Sequence, residues 1–412
     1  MTSVKPSSAH SVGPSYWVLL GPAMVAAAAY VDPGNVASNT TAGARYGYLL
    51  VWVVVGANVM AGLVQYLSAK LGIVTGRSLP EVLGERLSHG GRLAYWLQAE
   101  LVTMATDVAE VLGGAIALAL LFDLPLLWGG VITAVVSMAL LGTRDRGDPR
   151  RFERLIIGML CVVAVGFVAG LVVAPPDAGA VAGGLVPAFA DSDSVLLAAA
   201  MLGATVMPHA IYAHSALARD RHGPAFGPRR ARLLAATRVD VAIALLVAGA
   251  VNLALLLLGA TTLGGDTRSD TIEGVHAAIG DHLGAGVALL FAIGLLCSGL
   301  ASTAVGCYSG SVVMGGLLRR SVPLVTRRAV TAVPALAVLA VGVEPTTALI
   351  VSQVVLSFGI PFALVPLVVL TSRRAVMGTA RNHPATALAA TAVCTAIVGL
   401  NVALLVLTFM PG

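Results

Sequence analysis

Charged side chains are scarce in this sequence. Asp, Glu, Lys and Arg make up 11% of its 412 residues, against roughly 25% in an ordinary soluble domain. Hydrophobic residues make up 58% and the mean hydropathy is +0.91, more apolar surface than a water-soluble fold could bury. Lysine occurs only at Lys5 and Lys70, and the arginines behind the net charge of +5 lie between apolar runs. This placement indicates a membrane protein and argues against a nucleic-acid partner.

Several common motifs are also absent. Residues 1–16 are polar and lack an apolar core followed by a cleavage site, so we expect a short solvated tail and no signal peptide. No GxxxxGK[ST] phosphate loop occurs, which leaves no visible nucleotide-binding site in this chain. Uphill transport would therefore need an ion gradient or a separate subunit. No nucleophile and base form a catalytic motif, so we expect neither an enzyme nor a bound cofactor.

The cysteines do not form a recognisable site either. All of them lie far apart inside apolar runs, without the close pairing of a zinc or redox motif. We therefore expect buried free thiols. They are Cys161, Cys297, Cys307 and Cys394.

Long apolar runs dominate the rest of the chain. A transmembrane helix needs about 20 apolar residues, and the sequence supplies eleven candidate spans. They lie near 17–45, 47–73, 94–121, 125–142, 153–174, 193–218, 233–262, 284–316, 328–343, 346–371 and 385–409. We predict an all-α integral membrane protein with a single transmembrane domain, 17–409. It divides into two halves of five spans, 17–174 and 193–371, and an extra helix at 385–409.

The arginines test this topology independently, because short cytoplasmic loops collect positive charge. The loops after spans two, four, six, eight and ten carry Arg77, Arg86, Arg92, Arg144, Arg146, Arg150, Arg151, Arg219, Arg221, Arg229, Arg230, Arg319, Arg320, Arg373, Arg374 and Arg381. These loops, with the N-terminus, are predicted to be cytoplasmic in a multi-pass cell-membrane protein. The opposite loops are acidic. That charge either concentrates cations outside or is simply what the positive-inside bias leaves there.

Two proline-containing breaks interrupt the apolar runs at mid-span. In span one, Asp32-Pro33-Gly34-Asn35 stands inside a helical run, and Pro33 removes a backbone donor. In span six, Pro208 follows Met207, and proline cannot bond the carbonyl of Ala204. Such paired breaks in corresponding halves are the best sequence indication of a transporter binding site. A carboxylate, an amide oxygen, a free carbonyl and a thioether sulfur suit a softer transition metal better than calcium or magnesium.

Further ionisable residues lie inside predicted spans, where each is costly and is therefore a functional candidate. Span three contains Glu100, Asp107 and Glu110, and the last two share a helix face. His209 adjoins the second break and is a candidate for proton transfer. His214 is better explained as a hydrogen-bonded packing residue. Arg238 and Asp240 lie near the predicted cytoplasmic end of span seven. They could form a local charge network there, a gate or a proton exit.

These motifs resemble the natural resistance-associated macrophage protein (Nramp) family of metal transporters, in its bacterial manganese-transporting form. The resemblance covers nearly the whole chain. It rests on Asp32-Pro33-Gly34-Asn35, Met207-Pro208-His209, Thr106-Asp107 with Ala109-Glu110, Ser298-Gly299 with Ser302-Thr303, and Ser352-Gln353-Val354-Val355-Leu356-Ser357. The resemblance implies a leucine-transporter-like inverted repeat of five plus five helices, discontinuous helices one and six, and alternating access with proton co-import.

The resemblance also implies roles for particular residues. The metal contacts correspond to Asp32, Asn35, the Ala204 carbonyl, Met207 and, in some states, Gln353. The proton pathway corresponds to Asp107, Glu110 and His209, with Asn252 beside the site, and Arg238 joins this pathway as the possible exit. Two departures, Ala210 and Ser311, replace an asparagine and a glutamine usual in the family. They leave coupling and rate less well determined than substrate class.

Three functions stay open at this point. The first is proton-coupled import of divalent transition-metal ions, namely Mn²⁺ with Fe²⁺, Co²⁺, Cd²⁺ and Zn²⁺, which the sequence does not rank. The second is a cation-coupled amino-acid or amine symporter of the same fold, since fold does not fix function. Asp32 argues against it, because a fixed negative charge would repel a substrate carboxylate. The third is a passive cation channel, which the intramembrane acids and histidine disfavour.

Overall fold

The computed structural model describes residues 21–145, 149–264 and 271–409. The predicted tail, 1–16, lies outside these residues. Within them the chain is built from helices. In order these are α1 Pro22–Ala27, α2 Pro33–Tyr46, α3 Val51–Thr75, α4 Leu79–Gly84, α5 His89–Phe122, α6 Leu126–Asp145, α7 Pro149–Val173, α8 Ala178–Gly183, α9 Ser192–Thr205, α10 Pro208–His222, α11 Gly227–Thr262, α12 Ile272–Leu283, α13 Ala285–Leu318, α14 Leu324–Val341, α15 Pro345–Ser372, α16 Arg374–Met377 and α17 Pro384–Phe409.

Ten of the eleven predicted spans are confirmed as helices long enough to cross a membrane. In the described part of the chain, ten stretches are long and apolar enough to cross a membrane. They are α3, α5, α6, α7, α9 with α10, α11, α13, α14, α15 and α17. The eleventh predicted span is divided between α1, its 3₁₀ continuation and α2, each too short to cross alone. The limits of the two predicted halves, 17–174 and 193–371, stay a prediction.

Both predicted helix breaks are confirmed. The helix that begins with α1 ends in a 3₁₀ turn, and Asp32 is extended, with φ −76° and ψ 168°. Asp32 caps α2, and Pro33 occupies its first turn, where no backbone donor is needed. At the second break Met207 is extended, with φ −80° and ψ 130°, and Pro208 starts α10. The same chemistry thus interrupts both spans.

Small residues let these helices approach closely, as is usual where lipid supplies no hydrophobic force between helices. α11 packs against α2 and α3, α10 against α3 and α13, and α13 against α5 and α7. A Cβ on Gly43 of α2 would overlap the Leu256 carbonyl of α11, and one on Gly259 would overlap the Thr40 carbonyl. These contacts hold the broken helices inside a ring of complete ones.

The cysteines are free thiols, as predicted. The expectation that they are buried was wrong for Cys161, which is exposed, and for Cys297 and Cys394, which are half-buried; only Cys307 is buried. A helix that crosses a membrane can leave apolar side chains on its outer face, because lipid covers them there. An apolar run therefore does not establish burial within the protein.

The short helix α4 ties the C-terminal half of the second broken helix, α10, to the rest of the fold. Ser78 and Glu81 form a capping box at its start, and Leu79 N donates to Ser215 Oγ of α10 at 3.0 Å. Arg219, also on α10, lies 2.5 Å from Glu81 Oε2. Burial opposes ionisation of Glu81, but the Ser78 amide and the Arg219 guanidinium together outweigh it and hold the pKa of this carboxyl below its ordinary value.

This contact predicts a pH-dependent stability. Because the folded pKa of Glu81 is depressed, its contribution is present above the unfolded pKa, about 4.3, and is lost as pH falls through the folded pKa. Glu81→Gln is expected to unfold at a lower temperature than wild type at pH 7, with the gap closing below about pH 4. The unfolding temperatures of purified wild type and Glu81→Gln, measured at pH 7 and below about pH 4, give this difference. Glu85→Gln, on the exposed pair with Arg77, is the control, and an equal gap at both pH values would contradict the prediction.

Candidate functional site

Asp32 stands at the centre of a buried polar cluster between the two breaks. Its Oδ1 accepts hydrogen bonds from the backbone N of Asn35 at 2.8 Å and from Asn35 Nδ2 at 2.7 Å. Its Oδ2 accepts from Gln353 Nε2 of α15 at 3.2 Å. Asp32, Asn35 and Gln353 are each 0% exposed. The structure therefore closes this carboxylate off from both sides of the molecule.

The second break meets the first through Ala204. Pro208 has no N–H to bond its carbonyl oxygen, and that oxygen accepts from Asn35 Nδ2 at 2.8 Å. A single amide group thus bridges the Asp32 carboxylate and the Ala204 carbonyl. Met207, three residues on, caps the next helix and is fully buried. The structure accordingly brings Asp32, Asn35, Ala204 and Gln353 into one hydrogen-bonded cluster and places Met207 at the same break.

Two buried oxygens in this cluster have no partner. Asn35 Oδ1 and Gln353 Oε1 accept no hydrogen bond from the described residues, although an unsatisfied buried acceptor typically costs about 1–3 kcal/mol. A cation would supply what they lack. No group of three or more His, Cys, Asp or Glu side chains able to hold a metal occurs in the described part of the chain. The cluster thus offers one charged ligand, the Asp32 carboxylate, among neutral ligand atoms. Such a site would bind a cation weakly enough to release it again.

Neighbouring side chains hold the end of the first broken helix. Asn252 Nδ2 of α11 donates to the Tyr30 carbonyl at 2.8 Å, and its Oδ1 accepts from Asn39 Nδ2 at 3.2 Å. Ser298 Oγ of α13 donates to the Val31 carbonyl. These contacts satisfy carbonyls that the break leaves open. The structure therefore places Asn252 against the broken helix, and not beside the acidic residues of α5.

A second buried cluster contains two of the predicted proton residues. Asp107 Oδ1 lies 2.8 Å from Arg328 Nη1 of α14, and both side chains are 0% exposed. Arg328 also donates to Ser137 Oγ at 2.8 Å. Glu110, on the same face of α5, is fully buried, and neither carboxylate oxygen has a hydrogen-bond partner among the described residues. Asp107 is therefore held by a counter-ion, whereas Glu110 forms no ion pair among the described residues.

His209 lies between the two clusters. Its Nδ1 is 3.4 Å from Thr106 Oγ1, the residue before Asp107, and its Nε2 has no partner in the described structure. His209 directly follows Pro208 at the break, so one residue joins the metal-facing cluster to α5. His214 instead has its Nδ1 2.6 Å from Gln65 Oε1, which fits the packing role that the sequence favours.

Arg238 and Asp240 lie apart from each other. Arg238 is on the outer surface, where its guanidinium stands over the Tyr66 ring at 5.2 Å. Asp240 is buried and accepts from the backbone N of Gly21 and of Ala23, at 3.1 and 3.0 Å, at the start of α1. The structure thus does not bring Arg238 together with the other predicted proton residues. The predicted network at the cytoplasmic end is centred on Asp240 and α1.

The sequence analysis missed Arg328 and its neighbour Arg327, whose Nη2 lies 2.6 Å from Glu100 Oε1. Both arginines are buried at the start of α14. They follow the loop that carries Arg319 and Arg320, and by sequence alone they resemble further residues of that loop. A signal was nevertheless present, because buried acids such as Asp107 need a cationic partner.

Gly34 allows Gln353 to reach the site. A Cβ at Gly34 would overlap the amide of Gln353. Gly34→Ala is therefore expected to lower the unfolding temperature and to displace Gln353 from Asp32. Gln353→Ala removes the overlapping atoms, so the double variant is expected to unfold close to Gln353→Ala alone, a non-additive result. Gly56→Ala, where nothing lies within 4 Å of the added Cβ, is the control; additive effects would contradict the contact.

Comparisons with known proteins find relatives that cover nearly the whole chain. The family description "Natural resistance-associated macrophage protein-like" matches residues 23–407. A protein named divalent metal cation transporter MntH from Mycobacterium tuberculosis is 59% identical over 393 residues, which cover 95% of this chain and 92% of that protein. The protein of the same name from Bacillus subtilis is 46% identical over 392 residues, covering 95% and 92%.

Solved structures show the same fold. A crystal structure of the Eremococcus coleocola manganese transporter, in a mutant form, aligns with a TM-score of 0.85 at 29% identity, covering 100% of this chain and 91% of the other. A nucleobase-cation-symport-1 family transporter in a closed conformation aligns with a TM-score of 0.61 at 16% identity, covering 94% and 89%. The second likeness shows the fold alone, because the two sequences are only 16% identical.

Proposed function

Because this chain belongs to the natural resistance-associated macrophage protein family of metal transporters, we propose that it imports divalent transition-metal ions, Mn²⁺ foremost, with protons as the coupling ion. Fe²⁺, Co²⁺, Cd²⁺ and Zn²⁺ are the further substrates of the proposal. The observation that carries it is the cluster at the two breaks, where a buried carboxylate, two unpartnered amide oxygens and a freed carbonyl converge. The loop arginines support an orientation with the N-terminal side of α1 in the cytoplasm.

In this proposal the Asn35 amide marks the position of the ion. Its N–H₂ group now bridges Asp32 Oδ1 and the Ala204 carbonyl, and so supplies the positive partner that both oxygens need. A turn of this amide by half a rotation would aim Oδ1 at the same space. An entering cation would then be bound by Asp32, Asn35 and the Ala204 carbonyl. Gln353 would add its free oxygen while the site is closed.

Met207 would supply the selectivity. A thioether sulfur is a poor ligand for calcium or magnesium and a good one for softer ions. One carboxylate also leaves a divalent ion only half neutralised, which favours release once the site opens. The site therefore combines recognition of a soft ion with weak retention.

Met207→Ala is expected to preserve Mn²⁺ uptake in part while losing discrimination. Ca²⁺ or Mg²⁺ in excess should inhibit the variant more strongly than wild type, and Cd²⁺, the softer ion, should compete with Mn²⁺ less strongly than it does in wild type. Competition assays in proteoliposomes measure both effects. Met201→Ala, another fully buried methionine on α9, controls for the cavity, and equal selectivity in all three proteins would contradict the sulfur ligand.

The proton route proposed here uses His209, Asp107 and Glu110. Arg328 holds Asp107 in position by a direct ion pair. Glu110 has no such ion-pair partner among the described residues, and in this proposal it is the acid that carries the proton. His209 connects this face of α5 with the metal cluster through Thr106. Arg238 contacts none of these residues, and we leave it out of the route.

The competing functions are less well supported. A symporter for amino acids would place a substrate carboxylate against Asp32, with repulsion at the centre of its site. A passive channel would keep a continuous pore, whereas Asp32, Asn35 and Met207 are all 0% exposed.

Uptake of Mn²⁺ into proteoliposomes, with and without an inward acid gradient, tests the proposal. Saturable uptake that acid stimulates is the expected result. If correctly folded protein takes up none of Mn²⁺, Fe²⁺ and Cd²⁺, metal transport is ruled out and the organic-substrate symporter becomes the favoured function.

A further inference from the structure

A groove opens on the outer surface between α3 and α11, away from the metal cluster. Its volume is about 440 Å³, and its lining includes Asn58, Gly62, Tyr66, Arg238, Ala242 and Leu245. Gly62 adds no side chain to the α3 side of the groove, and a Cβ there would lie 3.4 Å from Leu245 Cδ1. Since both helices cross the membrane and this face points outward, the groove meets lipid.

Arg238 is the one cationic side chain in the lining of this groove. Its Nη2 donates to Tyr66 Oη at 3.3 Å, and the guanidinium lies over the Tyr66 ring. Across the described residues, no carboxylate lies within ion-pair distance of Arg238. Asp240, two positions along, faces roughly the opposite side of α11 and is occupied by the start of α1. An arginine that faces lipid without a counter-ion is costly, so this geometry calls for an anion from the membrane.

The depth of Arg238 indicates which part of a lipid it meets. α11 has 36 residues and is about 54 Å long, longer than the roughly 30 Å hydrocarbon core. Its start follows the arginine-rich loop, so its first turns project on the predicted cytoplasmic side. Arg238 lies eleven residues after Gly227, about 16 Å along the helix. That level corresponds to the boundary between headgroups and acyl chains, where tyrosine is also favoured.

From Arg238 the groove continues toward the middle of the membrane along an apolar wall. Ala242 and Leu245 follow on α11, and the rise from Arg238 to Leu246 is about 12 Å. Asn58, at the inner end, is occupied by a hydrogen bond from its Nδ2 to the Leu245 carbonyl. The polar end and the apolar length therefore match a headgroup and the first part of an acyl chain.

We propose that this groove binds an anionic phospholipid of the cytoplasmic leaflet. Arg238 engages its phosphodiester with two parallel N–H donors, a geometry that favours guanidinium over ammonium. The Tyr66 hydroxyl accepts from Arg238 and keeps its own hydrogen to donate to a phosphate oxygen. An acyl chain lies against Gly62, Ala242 and Leu245. α3 packs on α10 and α11 packs on α2, so the bound lipid touches the two helices that support the broken ones.

Native mass spectrometry of the purified full chain with phosphatidylglycerol or phosphatidylcholine tests this site. Wild type is expected to retain one phosphatidylglycerol more strongly than phosphatidylcholine. Arg238→Gln is expected to weaken phosphatidylglycerol binding by roughly fivefold and leave phosphatidylcholine unchanged. Ala242→Trp, which fills the groove without changing charge, is expected to weaken both lipids.

Arg154→Gln is the matched control, because Arg154 is also exposed near the predicted cytoplasmic end of a span and, among the described residues, bonds its own helix at the Arg150 carbonyl. This variant is expected to bind both lipids as wild type does. The site is overturned if Arg238→Gln retains phosphatidylglycerol as well as wild type does, if Ala242→Trp binds both lipids as wild type does, or if wild type does not distinguish the two lipids. Neither readout depends on metal transport, so failure here leaves the proposed function intact.

Discussion

Asp32→Asn is expected to reduce Mn²⁺ uptake at least about 100-fold. Asp32 supplies the only negative charge of the metal cluster, and a unit charge pair 4 Å apart is worth about 4 kcal/mol at an effective dielectric of 20, where 1.4 kcal/mol corresponds to tenfold in affinity. Asparagine is also a good helix cap, so α2 keeps its start. Initial uptake rates in proteoliposomes measure the effect, with Mn²⁺ binding by calorimetry as a second readout.

Asp123→Asn is the matched control for this charge change. Asp123 is exposed after α5 in a left-handed conformation, φ 55°, which asparagine tolerates well. We expect wild-type uptake from this variant. Normal uptake by correctly folded Asp32→Asn would rule out the carboxylate as the ligand that holds the ion.

Arg328→Gln is expected to destabilise the protein strongly. It leaves Asp107 buried without its counter-ion, and breaking a buried ion pair typically costs about 3–5 kcal/mol. Replacement of both partners by apolar residues is often neutral. The double variant Asp107→Leu with Arg328→Met is therefore expected to recover most of the unfolding temperature that Arg328→Gln loses.

Uptake separates the structural role of this pair from its role in proton movement. The stable double variant is expected to carry Mn²⁺ with little or no stimulation by an acid gradient. Arg154→Gln, at an exposed site, is expected to leave both stability and acid stimulation unchanged. If the folded double variant is stimulated by acid as strongly as wild type, Asp107 and Arg328 only stabilise the fold.

The two breaks could be predicted from sequence because their cause is local. Pro33 and Pro208 remove a backbone donor, and each stands beside a polar residue, Asp32 or His209. Prolines with apolar neighbours, Pro334, Pro361 and Pro366, lie inside continuous helices. The meeting of Asn35 with Ala204 is different, because the two are 169 positions apart and only the packing of α2 against α9 decides it. Gln353 came into the predicted site through family resemblance, since a glutamine in an apolar run has no local signature.

The errors also have physical reasons. Arg238 was grouped with the proton residues because α11 is apolar around most of its circumference, so periodicity does not tell its inner face from its outer one. Arg328 was overlooked because an arginine at the start of a span is typical of a cytoplasmic loop. Its burial depends on Asp107, which lies 221 positions away. The positions of charged residues in a sequence thus predict membrane topology well. They do not predict which residue each charge pairs with in the fold.

The most direct test of the account is a crystal structure of the protein soaked with Mn²⁺, with anomalous diffraction recorded on both sides of the manganese absorption edge. The account predicts one strong anomalous peak between the two breaks, at coordination distance from Asp32, Asn35, the Ala204 carbonyl and the Met207 sulfur. The same peak should be missing from Asp32→Asn crystals. A peak elsewhere, with the space between the breaks empty at saturating Mn²⁺, would contradict the assignment of this cluster as the transport site.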